Sequence, residues 1–182
     1  MLRKLPETND NGVLKAAHIS DCGNYRYLLT RRWNTHLRWV RPTCTFVMLN
    51  PSTADNKLDD PTIRRCIKFA EREDCDKLMV VNCFALRATN PAELRFHPDP
   101  MGPLNRETVF SAILNGLRTG GPVIAAWGAW GAKEDPPPGH WIKAGWDERS
   151  NGKLDLKCLG LTKDGCPKHP LYVKGDTPLV DF

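Results

Sequence analysis

CTFVMLN (Cys44–Asn50) and KLMVVNCFAL (Lys77–Leu86) flank the segment DPTIRRCIKFAERE (Asp60–Glu73), and these three runs decide the fold. The flanking runs are short, continuous and apolar, as expected of strands buried on both faces of a parallel sheet. The middle run places Asp60 at an N-cap and Pro61 at the first helical position. Apolar residues follow at Ile63, Cys66, Ile67 and Ala70, the spacing of an amphipathic helix. Strand, loop, helix, strand in this order is a βαβ unit with a right-handed crossover.

Downstream, a second helix is expected over Asn105–Leu117, stopped by Gly120-Gly121, with PVIAAWG (Pro122–Gly128) as the third core strand. KEDPPPGH (Lys133–His140) reads as a surface loop from its prolines, and LDLKCLGL (Leu154–Leu161) as the fourth strand. Upstream, YRYLLTRRW (Tyr25–Trp33) reads as an early strand or hairpin arm, and THLRWVRP (Thr35–Pro42) as its continuation or a connecting loop. The expected architecture is α/β, a three-layer αβα sandwich on a mostly parallel four-stranded central sheet. A single domain spans 1–182, with 1–20 as a flexible N-terminal segment.

A chain of 182 residues with 41% hydrophobic content can bury one sizeable core. Mean hydropathy is −0.45, and no apolar run approaches the roughly 18 residues a membrane span needs. MLRKLPETNDNG at the N-terminus has a basic start without an apolar stretch, so secretion is not expected and a cytoplasmic location is. The cysteines, seven in number, include no CxxC pair. They read as reduced, packed thiols, with neither a structural disulfide nor a bound metal expected.

The net charge of +5 permits contact with phosphates. Between Asp21 and Asp55 there is no carboxylate, while Arg26, Arg31, Arg32, Arg38 and Arg41 alternate there with Trp33 and Trp39. A nucleic-acid strand would meet such a segment favourably. A solvated face with two aromatic residues turned inward explains it equally well.

Ligands of open α/β sheets collect at the carboxyl ends of the strands. Here those ends carry Asn50-Pro51-Ser52-Thr53, Asn82-Cys83-Phe84, Trp127 to Gly131, and Thr162 to Tyr172, so these groups should converge in one cleft. Asn50 could orient a water or start a turn. Asn82, an amide at a buried strand end, needs partners, either a planar ligand edge or loop backbone. In the first loop Asp60 has a cap to make, which leaves Asp55 and Asp59 as candidate bases or solvated acids. Arg64 and Arg65 could meet phosphates or neutralise those acids. His169, between Pro167 and Pro170, is a candidate donor to an oxyanion or an exposed loop residue. There is no P-loop, GxGxxG, HExxH or GxSxG motif.

YRYLLTRRW, FVMLNPSTADNKLDDPTIRR, VVNCFALRATNPAEL and CLGLTKDGCPKHPLYV resemble domain-of-unknown-function family 1643 over most of the chain. More distantly, the layout resembles the uracil-DNA glycosylase superfamily. In that resemblance Asn50 stands where the mismatch-specific branch has a water-positioning Asn, and Asn82 where an Asn reads the base edge. Trp127-Gly128 matches a Trp-Gly after the third strand, and His169-Pro170 a His-Pro that stabilises the departing base. Leu171-Tyr172 replaces the Ser-Pro that usually follows, and no aromatic stands close behind Asn50.

The resemblance implies a glycosylase-like hydrolase acting on a modified or non-standard base flipped from DNA, without metal or cofactor. Asn50, His169 and Asp55 would be catalytic. Asn82, Phe84, Pro51 and Ser52 would hold the base, with Phe84 supplying stacking. Arg31, Arg32, Arg38, Arg64 and Lys168 would contact DNA, and a monomer is expected. The alternatives are a non-catalytic nucleobase, nucleotide or DNA-binding module and a hydrolase of free nucleosides or nucleotides.

Overall fold

The computed structural model describes residues 2–33, 42–130, 137–150 and 152–182. The expected βαβ unit is present. β5 (Thr43–Met48) leads through α1 (Pro61–Arg72) to β6 (Lys77–Asn82), and the two strands pair in parallel from Thr43↔Lys77 to Met48↔Asn82. Asp60 caps α1 by accepting the Ile63 N–H at 2.8 Å, and Pro61 fills a first-turn position where its missing N–H costs nothing. β7 (Val123–Ala125) pairs with β5, and β8 (Lys157–Cys158) with β7, again in parallel. The parallel strands therefore run in the order β6-β5-β7-β8.

The sheet is larger and more mixed than its parallel part. Among the described residues it has nine strands in the order β1-β3-β4-β6-β5-β7-β8-β9, with β2 paired to β3. The expectation of a mostly parallel four-stranded sheet is corrected accordingly. β4 (Arg26–Arg32) is antiparallel to β6, and β3 (Val13–Ser20) is antiparallel to β4. The segment 1–20, expected to be flexible, supplies β1 (Leu2–Lys4), β2 (Thr8–Asp10) and β3. At the opposite edge β9 (Val180–Asp181) pairs antiparallel with β8. Thr35–Arg41 lies outside the described residues, as do residues 133–136 of the Lys133–His140 run. The end of that proline loop instead begins α3 (Pro138–Asp147), because proline is compatible with a first helical turn and Trp141, Ile142 and Trp146 bring apolar surface to bury.

Alternate residues of the central strands feed two cores. Phe46, Met48, Leu78, Val80 and Ile124 pack with Ile63, Cys66, Phe69 and Ala70 of α1. Val47, Leu49, Met79 and Val81 pack with Val109, Phe110 and Ile113 of α2 (Asn105–Arg118) and with Trp141, Ile142 and Trp146 of α3. Burial on both faces is why the strands read as continuous apolar runs rather than alternating ones. Six of the seven cysteines are buried and all seven are free thiols. No helix among the described residues is long and apolar enough to cross a membrane.

Candidate functional site

A cleft of about 770 Å³ opens where the four parallel strands end. β5 delivers Leu49, Asn50 and Ser52 to it, and β6 delivers Asn82. The segment after β7 brings Trp127 to Trp130, and the segment after β8 brings Lys168, His169 and Tyr172. Backbone hydrogen bonds hold these loops together. The N–H groups of Cys83 and Phe84 donate to Met48 and Leu49, Ala88 donates to Pro51, and Gly128 donates to Pro167 at 2.9 Å. Gly128 has φ +74°, and a Cβ there would stand 3.4 Å from the His169 Cβ, so glycine lets the two loops meet.

Asn50 is fixed by its own amide. Its Nδ2 donates to the carbonyls of Ala88 at 2.7 Å and Pro51 at 3.1 Å. Both partners are acceptors, so the orientation of the amide is determined and Oδ1 remains as the acceptor available to the cleft.

Asn82 differs. It is 1% exposed, it lines the cleft, and neither Oδ1 nor Nδ2 has a partner among the described residues. Its backbone is well held, because Asn105, in the first turn of α2, donates from Nδ2 to the carbonyls of Asn82 at 2.9 Å and Cys83 at 3.0 Å. A rigid backbone thus carries an amide whose donor and acceptor are both unmet, which costs about 1–3 kcal/mol per group until a ligand supplies the complement.

His169 opens a short 3-10 turn over Pro170–Tyr172, and its Nδ1 accepts the Leu171 N–H at 3.3 Å. The neutral ring therefore keeps its proton on Nε2, which makes Nε2–H the free donor. Burial lowers the His169 pKa below the ordinary histidine value, with Asp60 acting in the opposite direction. The ring lies against that of Tyr172 with centroids 5.6 Å apart, and Tyr172 is 84% exposed at the rim.

Other expected site residues sit elsewhere. The Asp55 carboxylate accepts the N–H groups of Lys57 at 2.7 Å and Leu58 at 2.9 Å, which closes its own loop, and Asp55 does not line the cleft. Burial acts to raise its pKa, but those two N–H groups hold it below the usual aspartate value. Phe84 is partly buried against the core that α2 and α3 share with the sheet, and it does not line the cleft. Pro51 is buried, and its carbonyl accepts the Ala88 N–H.

Arg31, expected on a DNA-facing surface, is wholly buried. Its Nε is 2.7 Å from Asp59, and the rest of the guanidinium donates to the carbonyls of Thr30, Ala16, Asp55 and Leu58. Its charge is consumed inside the protein. Arg64 is exposed on the first turn of α1 and donates to the Asp59 carbonyl, and it does not line the cleft. Arg32 is half-buried on β4, and Arg38 lies outside the described residues.

Two charged lining residues fall outside the strand-end groups expected to converge at the cleft. Asp60 and Arg26 both face the cleft, Asp60 as its carboxylate and Arg26 as a buried guanidinium. Strand alternation would set Arg26 on the face opposite Leu29. The β3–β4 register skips Tyr27 at a bulge, which re-aims Arg26 toward Ala54 on the face that α1 covers.

Comparison with curated proteins and with solved structures found no match. A family model matches residues 26–171, a span that begins at Arg26 and includes all four strand ends of the cleft. On that match the chain belongs to the family described as protein of unknown function (DUF1643).

Proposed function

We propose that the cleft binds a nucleobase and that the protein is a glycosylase-like enzyme, distantly related to the uracil-DNA glycosylase superfamily, that hydrolyses the N-glycosidic bond of a non-standard base in DNA. The observation that carries this reading is the orphaned amide of Asn82. An acceptor and a donor fixed side by side complement a C=O and an adjacent N–H, the lactam edge of a keto-form base. Asn50 Oδ1 is the group to orient an attacking water, and His169 Nε2–H the donor to negative charge that develops on the departing base. Lowering the His169 pKa favours the neutral donor over the imidazolium.

Support for the wider kinship comes from three features taken together. The parallel strands follow the order β6-β5-β7-β8, helices cover both faces, and Asn50, Asn82, Trp127-Gly128 and His169-Pro170 come at successive strand ends. The rival reading is a module that holds the base without cleaving it. It is favoured by the state of the cleft carboxylate, since Asp60 Oδ1 is committed to the Ile63 N–H.

An abasic-site assay on DNA carrying varied base modifications separates the two. Release of a base by the wild type, reduced about 100-fold or more in Asn50→Ala and His169→Ala, supports hydrolysis, because single oxyanion donors are commonly worth that much. Release undiminished in both variants contradicts the mechanism. Binding without release by the wild type establishes the module instead.

A further inference from the structure

We infer that Arg26 is an anion-binding residue and that the cleft takes a phosphate group of the same ligand whose base Asn82 reads. The base assignment rests on the reading above, whereas the anion site stands on separate observations. Arg26 is 2% exposed and lines the cleft. Its Nη1 donates to the Ala54 carbonyl at 2.8 Å, and its Nε has no partner among the described residues. No described carboxylate lies within the 4.0 Å that defines an ion pair with it. Proteins seldom bury a guanidinium without a counter-ion, because removing the charge from water is costly unless an anion compensates it.

The surroundings specify what that anion is. Lys163 and Lys168 stand at the cleft with Arg26, against Asp60 as the carboxylate among the described lining residues. Asp60 is itself occupied at Oδ1 by the Ile63 N–H. The twelve-residue α1 begins at this wall, with Thr62 and Ile63 lining it, so the positive end of the helix faces the same space. A guanidinium, two lysines and a helix N-terminus suit a multiply charged oxyanion with several acceptor oxygens, which describes a phosphate better than a carboxylate. The β-bulge that skips Tyr27 brings Arg26 to this position, and bulges commonly re-aim a side chain beside a functional site.

Titration calorimetry with three probes tests the assignment and identifies the source of the phosphate: a nucleoside, its 5′-monophosphate, and a short single-stranded oligonucleotide containing it. The wild type should bind a phosphate-bearing probe roughly tenfold or more tightly than the nucleoside. In Arg26→Met that preference should vanish while nucleoside affinity and melting temperature hold, and Arg26→Lys should keep part of the preference. An Arg26-dependent gain with the monophosphate identifies a free nucleotide; a gain confined to the oligonucleotide identifies a backbone phosphate. If Arg26→Met retains the full preference, or the wild type shows none with either phosphate-bearing probe, the inference is overturned. Inorganic phosphate separates this outcome from failure of the base reading. Arg26-dependent binding of phosphate that persists in Asn82→Ala, with no nucleoside bound by the wild type, sustains the anion site and removes the base.

Discussion

Arg31 and Arg26 sit toward opposite ends of β4, both buried and both turned to the loop that joins β5 to α1. Arg31 is saturated: a carboxylate at 2.7 Å and four carbonyls meet its guanidinium, and Lys15 braces the same Asp59 at 2.9 Å. Arg26 has one carbonyl and an unpaired Nε, and burial draws its pKa down to about 10 even though Asp60 acts to raise it. A charge that the fold completes by itself is structural. One left incomplete in a cleft is reserved for a ligand. A graded form of the contrast separates Asn105, whose Nδ2 joins α2 to the end of β6 although its Oδ1 has no partner among the described residues, from Asn82, where neither amide atom has one.

The contrast is broken most severely at Arg31. Arg31→Met leaves Asp59 to Lys15 alone and takes the guanidinium donor from four carbonyls, and it should lower the unfolding free energy by about 3–5 kcal/mol, the range for removing one partner of a buried pair. Urea denaturation measures it, and a loss below about 1 kcal/mol would show that the two arginines do not differ. Asn105→Ala should cost about 1–3 kcal/mol by leaving the Asn82 and Cys83 carbonyls unmet, and it should weaken base binding by loosening the strand end.

The opposite sign is expected where the fold leaves groups incomplete. Asn82→Leu should leave the urea midpoint unchanged or raise it by up to about 1–2 kcal/mol of stability, while it eliminates base binding. A marked loss of stability would mean that Asn82 has structural partners after all.

The smallest effect expected is on pH dependence. The folded pKa of His169 lies below its unfolded value, so the unfolded chain binds the proton more readily. The stability His169 contributes is complete above the unfolded pKa, near 6.5, and is lost as pH falls through the folded one. Asp60, acting to raise the pKa, limits the size of the loss. Comparing urea midpoints at pH 7.5 and 5.5 should give a drop in the wild type that is smaller in His169→Gln. Equal drops would assign it to other groups.

Much of the frame was legible because local signals agreed with the tertiary structure. Asp60-Pro61 followed by a 3.6-residue apolar period admits little except a capped helix, and the apolar runs ending at Asn50 and Asn82 locate the cleft. The antiparallel flank was harder to see, since β1 to β3 lie at a sheet edge and lack a continuous apolar run. One signal did stand there: Asn11 and Gly12 both have positive φ in the β2–β3 hairpin, the conformation that an Asn-Gly turn favours. Arg26 and Arg31 were indistinguishable in a run of arginines, because partners distant in sequence and a register shift at Tyr27 decide their fates. Phe84 and Asp55, expected among the site residues, lie outside the cleft lining for a related reason. Proximity in sequence to a strand end does not specify which way a loop side chain turns, and both are held by contacts outside the cleft.

The most direct test of the central claim is to observe the Asn82 side-chain amide itself. In ¹⁵N-labelled protein, the Nδ2 resonances of Asn82, assigned by their absence in Asn82→Asp, should shift when a base with a lactam edge is added. They should stay in place with the N-methylated analogue that lacks the ring N–H, because that analogue offers Oδ1 no donor. Resonances left unmoved at saturating concentrations of every keto-form base, or moved equally by the methylated ones, would contradict the account.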